Sequence, residues 1–103
     1  MTLVKRLYQF TETFPSSEAF GLTAQMRRAA VSIPSNLAEG AARTGAKEFA
    51  QFLNIAKGSL SELETQILIA NGLGYAGGID ELLNQAEKVS RLLAGLHKKV
   101  VAG

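Results

Sequence analysis

A sequence of 103 residues, 47% hydrophobic and 19% charged, has room for one domain with one hydrophobic core, which excludes a chain that is disordered throughout. The absence of cysteine excludes disulfides, thiolate zinc sites and a cysteine nucleophile. A formal net charge of +2 is too small to mark a nucleic-acid binder by itself, and no apolar run approaches the roughly 20 residues of a membrane span, so the expectation is a cytoplasmic protein away from membranes.

Leu3, Leu7, Phe10 and Phe14 step by four, three and four, one face of a first helix. Pro15 and Ser16-Ser17 end it, with Ser17 the expected cap of the next turn and Glu18 the favourable charge behind it. A second helix carries Leu22, Met26, Ala29, Ile33, Leu37 and Ala41 on its apolar side. Gln25, Arg28, Ser32, Ser35, Asn36, Glu39 and Arg43 form its polar side. Pro34 lies within it and deprives the Ala30 carbonyl of its partner, which predicts a kink, or in the alternative two short helices. After Thr44-Gly45, Phe49, Phe52, Leu53, Ala56, Leu60, Leu63, Ile67 and Ala70 mark a third and longest helix. Ile55 and Ile69 widen its stripe beyond what one bundle seam needs. Glycines from Gly72 to Gly78 stop it. Leu82, Leu83, Ala86, Val89, Leu93, Leu96 and Val100 give a fourth helix starting near Asp80. No strand alternation and no repeat appears. The fold expected is all-α, a single domain over residues 1–103, an antiparallel up-down-up-down four-helix bundle.

In that topology helices one and three start where helices two and four finish. Lys5, Arg6, Arg43, Lys47, Lys98 and Lys99 are then expected at one end, a basic pole able to attract phosphate backbones or an acidic protein. Glu12, Glu18, Glu64, Asp80 and Glu81 fall at the other end. Helix dipoles explain Arg43, Lys98 and Lys99 without any partner, but not Lys5, Arg6 and Lys47. A second group, Arg28, Ser32, Ser35, Asn36, Glu39 and Glu62, reads as a polar network holding helix two to helix three or to another copy. Arg28 is expected within reach of Glu62, and Arg43 of Glu39 one turn away.

Catalytic patterns fail individually. His97 is the single histidine, placed beside Lys98-Lys99 where a surface role is expected. Glu62 and Glu64 diverge on a helix, and no Glu-x-x-His pair is present to hold a metal. Gly58-Ser59 lacks a nucleophile elbow, and the glycines near Gly74 lack the strand and lysine of a phosphate loop. The expectation is no enzyme, no cofactor and no metal.

The residues Phe14-Pro15, Glu18, Phe20-Gly21-Leu22 and the run from Gln25 through Arg27, Ser32-Ile33-Pro34-Ser35-Asn36 to Glu39-Gly40 resemble the bacterial four-helix-bundle proteins associated with intervening sequences in 23S ribosomal RNA genes. Arg43, Glu48-Phe49, Phe52-Leu53, Ile55-Ala56, Gly58-Ser59-Leu60 and Glu62-Leu63-Glu64 continue the resemblance. It implies a left-handed bundle assembled as a homopentamer. It also implies kinship with the accessory protein of diversity-generating retroelements, which binds nucleic acid and a reverse transcriptase. The family pattern has a longer first helix and a tryptophan ahead of the segment that here starts at Leu3. On the resemblance, the favoured function is an oligomeric scaffold binding nucleic acid non-specifically through the basic pole; the alternative is a protein-interaction module for a polymerase or another acidic protein.

Overall fold

Leu3 and Leu7 lie one turn apart and both are buried, which fixes one face of helix α1 (Thr2–Thr11) against the rest of the chain. The computed structural model describes residues 1–103. After α1, Phe14 is buried and Ser16–Glu18 make a single 3₁₀ turn. Helices α2 (Leu22–Ala41), α3 (Ala46–Gly72) and α4 (Asp80–Ala102) follow, so the all-α four-helix bundle read from the sequence is the fold observed.

The expected stripes form the core. Met26, Ala29 and Ile33 of α2 meet Leu53, Ala56, Leu60, Leu63 and Ile67 of α3, with Leu82, Ala86, Val89 and Leu93 from α4. Helix α2 passes through Pro34 without a break, so the alternative of two short helices does not hold. Ala30 and Ile33, both fully buried, secure the segment where the ladder lacks one hydrogen bond. Ala41, expected inside, is exposed where the helix ends. Ile55 and Ile69 do not bury a second flank within the chain; they are 51% and 47% exposed.

Two caps set the corners. Helix α3 ends with Gly74 in the left-handed region at φ 75°. The Gly74 and Tyr75 N–H groups donate to the Asn71 and Ala70 carbonyls at 3.0 and 3.1 Å, a complete glycine-terminated helix stop. Helix α2 is capped by Glu18, whose Oε1 accepts the Leu22 N–H at 3.2 Å, and not by Ser17. The helix begins at Leu22, four residues past Glu18, so only a longer side chain reaching forward meets its first N–H.

Around the bundle, α1 packs on α2 and α4, and α3 packs on the same two helices, while α2 and α4 lie diagonally, with no Cα of one within 8 Å of the other. The helices differ greatly in length. At about 1.5 Å per residue α1 spans about 15 Å, α2 about 30 Å, α3 about 40 Å and α4 about 35 Å. Arg6, in the middle of α1, meets Glu81 in the first turn of α4 at 2.7 Å. The end of α1 meets α2 through Arg27 and Thr11, at 2.9 Å. Helix α1 therefore lies along only the upper half of the bundle, the end where α2 and α4 begin.

Candidate interaction surfaces

At the lower end α2 and α4 finish and α3 starts. Arg43 follows the last turn of α2, Lys47 opens α3, and Lys98 and Lys99 sit near the end of α4; all four are exposed. Between them is an apolar floor. A cavity of about 450 Å³ is lined by Phe49, Leu96 and Val100 with Arg43 and Lys99 on its walls. A neighbouring one of about 370 Å³, carrying Lys47, shares Ala46 and Val100 with it. No Asp or Glu lines either. Arg43 is partly engaged: its Nη2 donates to Glu39 Oε1 at 2.7 Å, the expected one-turn pair, and its guanidinium lies 5.3 Å from the centre of the Phe52 ring.

Lys5 and Arg6 are not part of this end. The Arg6–Glu81 pair places them beside the first turn of α4, in the upper half. The expectation placed the starts of helices one and three at the same end of the bundle. Because α1 is short and its last turn is held beside Arg27, its start falls mid-bundle.

The polar group on α2 is part network and part surface. Ser32 and Ser59 share a hydrogen bond of 2.9 Å between α2 and α3. Asn36 Nδ2 donates to the Ser32 carbonyl at 2.7 Å and to Ser32 Oγ at 2.9 Å. Ser35 and Glu39 are exposed on the chain and take no part in the contact between α2 and α3. Arg28 and Glu62 face one shallow cavity of about 230 Å³ with Gln25, Ser32 and Ser59. They form no ion pair within the chain, where Glu62 Oε1 accepts from Gln66 Nε2 at 3.1 Å one turn further on. His97, expected on the surface, is half-buried.

The pattern of the 23S rRNA-intervening sequence protein family matches residues 1–95. The chain belongs to that family. Among curated proteins none matches the chain. In this member of the 23S rRNA-intervening sequence protein family the match ends at Gly95, so Leu96, Lys98, Lys99 and Val100 of the lower end lie outside the matched residues. No helix is long and apolar enough to cross a membrane.

Sequence reasoning missed the upper corner of this family member. Tyr75 donates its hydroxyl to Glu18 Oε2 at 2.8 Å, and its ring lies 5.5 Å from that of Phe14. The hydrogen bonds from Tyr75 and from the Leu22 N–H hold the Glu18 carboxyl below its ordinary range, and the same carboxylate pushes the Tyr75 hydroxyl up. Arg27 Nε donates to Thr11 Oγ1 at 2.9 Å and its guanidinium covers the Tyr8 ring at 4.6 Å. These contacts join residues far apart in the chain, so no spacing rule announces them. Phe20, in the same corner, is 99% exposed.

Proposed function

We propose that this protein is a non-catalytic, self-associating scaffold that docks an acidic protein partner at its basic lower end. One observation carries the reading: Arg43, Lys47 and Lys99 surround an apolar floor of Phe49, Leu96 and Val100 with no Asp or Glu among the lining residues. Phosphate backbones need only positive charge. An apolar floor between cations adds nothing for them, whereas protein interfaces combine an apolar centre with a charged rim.

The nucleic-acid reading favoured by the sequence and the resemblance is weakened on two counts. Lys5 and Arg6 leave the basic end, reducing its cations from six to four. The two tyrosines that could stack on bases are engaged, Tyr8 beneath Arg27 and Tyr75 with Glu18. Self-association draws support from the apolar residues left exposed on α3, Ile55, Leu68 and Ile69. The resemblance makes five copies in a closed ring the expected form.

The test compares labelled polyglutamate with single- and double-stranded DNA and RNA of matched charge, at low and moderate salt. Wild type should bind polyglutamate at least as tightly as any nucleic acid, and Lys47→Glu with Lys99→Glu should weaken it about tenfold. Nucleic acids bound about tenfold more tightly than polyglutamate would overturn the protein-partner reading in favour of nucleic acid.

A further inference from the structure

We infer that the shallow cavity on the outer seam of α2 and α3 binds a small zwitterion, a free amino acid with a short side chain. This is independent of what docks at the lower end. The seam lies away from α1, no Cα of which comes within 8 Å of α3. The cavity has about 230 Å³ and is lined by Gln25, Arg28, Ala29, Ser32, Ser59 and Glu62.

Both donors and acceptors are left over there. Arg28 is exposed and enters no ion pair within the chain. Ser32 Oγ accepts from Asn36 Nδ2 and shares one hydrogen bond with Ser59 Oγ, each at 2.9 Å. Two serine hydroxyls carry two hydrogens and their mutual bond uses one, so the other is free to donate to a ligand. On the acceptor side, Glu62 receives Gln66 Nε2 on Oε1 at 3.1 Å and keeps Oε2 open. Gln66 is only 6% exposed, and its Oε1 has no partner. Turning the amide over gives no relief, since it would set the carbonyl oxygen against the Glu62 carboxylate. A buried acceptor without a partner is costly, and this one sits on the same amide that holds Glu62.

The pattern selects the ligand. Arg28 and Glu62 share the cavity without closing on each other. A ligand with a carboxylate and an ammonium satisfies both: the carboxylate takes Arg28 and the spare serine hydrogen, and the ammonium takes Glu62 Oε2 and Gln66 Oε1. A plain anion such as phosphate is repelled by Glu62, and a plain cation by Arg28. Ala29 is the single apolar lining residue, and the volume falls below the roughly 300–1,000 Å³ of sites for drug-sized ligands, so the ligand's side chain has few atoms.

The probes are glycine, L-alanine and L-serine, with acetate and methylammonium as the separate halves of a zwitterion. Binding is read in ¹⁵N-labelled protein from the backbone amides of Ser32 and Ser59, the Gln66 side-chain amide and Arg28 Nε. At least one of the amino acids should shift these signals saturably, with a Kd of about 1 mM, and each half alone should need about tenfold more. Arg28→Gln and Glu62→Gln, both on exposed side chains whose change leaves the core intact, should each weaken binding about tenfold. No saturable shift with any of the three amino acids, at up to about a hundredfold that concentration, would overturn the site. Acetate bound as tightly as the amino acids would overturn its zwitterionic character. Titrations unchanged in both variants would place the binding elsewhere and overturn it as well.

Discussion

Glu18 is the residue on which the upper corner turns. Its two carboxylate oxygens accept from Tyr75 and from the Leu22 N–H, so the ionised form is the one the fold stabilises. Its folded pKa therefore lies below the ordinary value of 4.5. A depressed carboxyl contributes stability that is fully present above its unfolded pKa and is lost as pH falls through the folded value. Melting temperature should drop on acidification below about 4.5, and Glu18→Gln should remove part of that drop; identical pH profiles for wild type and variant would refute this role. Tyr75 is the opposite case. Its hydroxyl is raised above 10.0, so its contribution is full below that pH and is lost as pH rises through the folded value. Gly21 bears on the same contact: a Cβ there would lie 2.7 Å from Glu18 Oε1, so the carboxylate would have to shift. Gly21→Ala should expel the carboxylate from its cap and lower the melting temperature, with the pH dependence of Glu18→Gln. From the sequence Glu18 was legible as a charge suited to a helix start. Its partner was not, because Tyr75 is 57 residues away and meets it only through the tertiary fold.

Two glycines separate packing from propensity at the scale of the helix. Gly40 is buried where α2 crosses α3, and a Cβ there would lie 2.8 Å from Phe52 Cβ and 3.0 Å from Phe49 Cδ1. Alanine favours a helix interior by up to about 1 kcal/mol over glycine, but overpacking costs about 1–3 kcal/mol. Since the contact with Phe52 is with a Cβ, which cannot swing aside, Gly40→Ala should be destabilising by about 1 kcal/mol in urea titrations. Gly58 has nothing within 4 Å of the added Cβ, and Gly58→Ala should gain up to about 1 kcal/mol. A loss at Gly58 would instead reveal a neighbouring copy packed against that face. Asn36→Ala, by removing the two hydrogen bonds to Ser32, should cost about 1 kcal/mol and leave the 2.9 Å Ser32–Ser59 bridge in place. Unchanged stability would assign Asn36 to the surface rather than to the seam. The helices themselves were legible because Leu, Ile and Ala recur at helical spacing through α2, α3 and α4. The length of α1 relative to its neighbours was equally visible. Its consequence, that Lys5 and Arg6 sit mid-bundle, needed the Arg27 and Glu81 contacts that anchor the helix in the upper half.

For the whole molecule the question is what covers the outer side of α3. Ile55, Glu62 and Ile69 are seven residues apart, which puts them on one line along the helix, and all three are exposed. Arg28 on α2 also stands unpaired beside Glu62. A neighbouring copy that covers the isoleucines would bring fresh partners to both charges. Sedimentation equilibrium should therefore find an oligomer at micromolar concentration, with five copies expected. Ile55→Glu with Ile69→Glu should dissociate it while leaving the helical circular dichroism of each chain intact. A monomeric wild type at that concentration would end the self-association proposal.

The short first helix has a further consequence, in time rather than in space. Helices α2 and α3 are joined by a few residues and packed along most of their length, so their contacts close a short loop and form early. Helix α1 adds Leu3 and Leu7 to the core, with Val4 and Phe10 packed at its edge, the Arg27 clamp and the Arg6–Glu81 pair, and no Cα of it comes within 8 Å of α3. It is thus the element able to detach while the remaining three stay folded. Native-state hydrogen exchange should show the amides of Leu7 and Tyr8 opening at lower free energy than those of Leu60 and Leu63, and with little dependence on global unfolding. Uniform protection across all four helices would mean instead that the bundle opens as one unit.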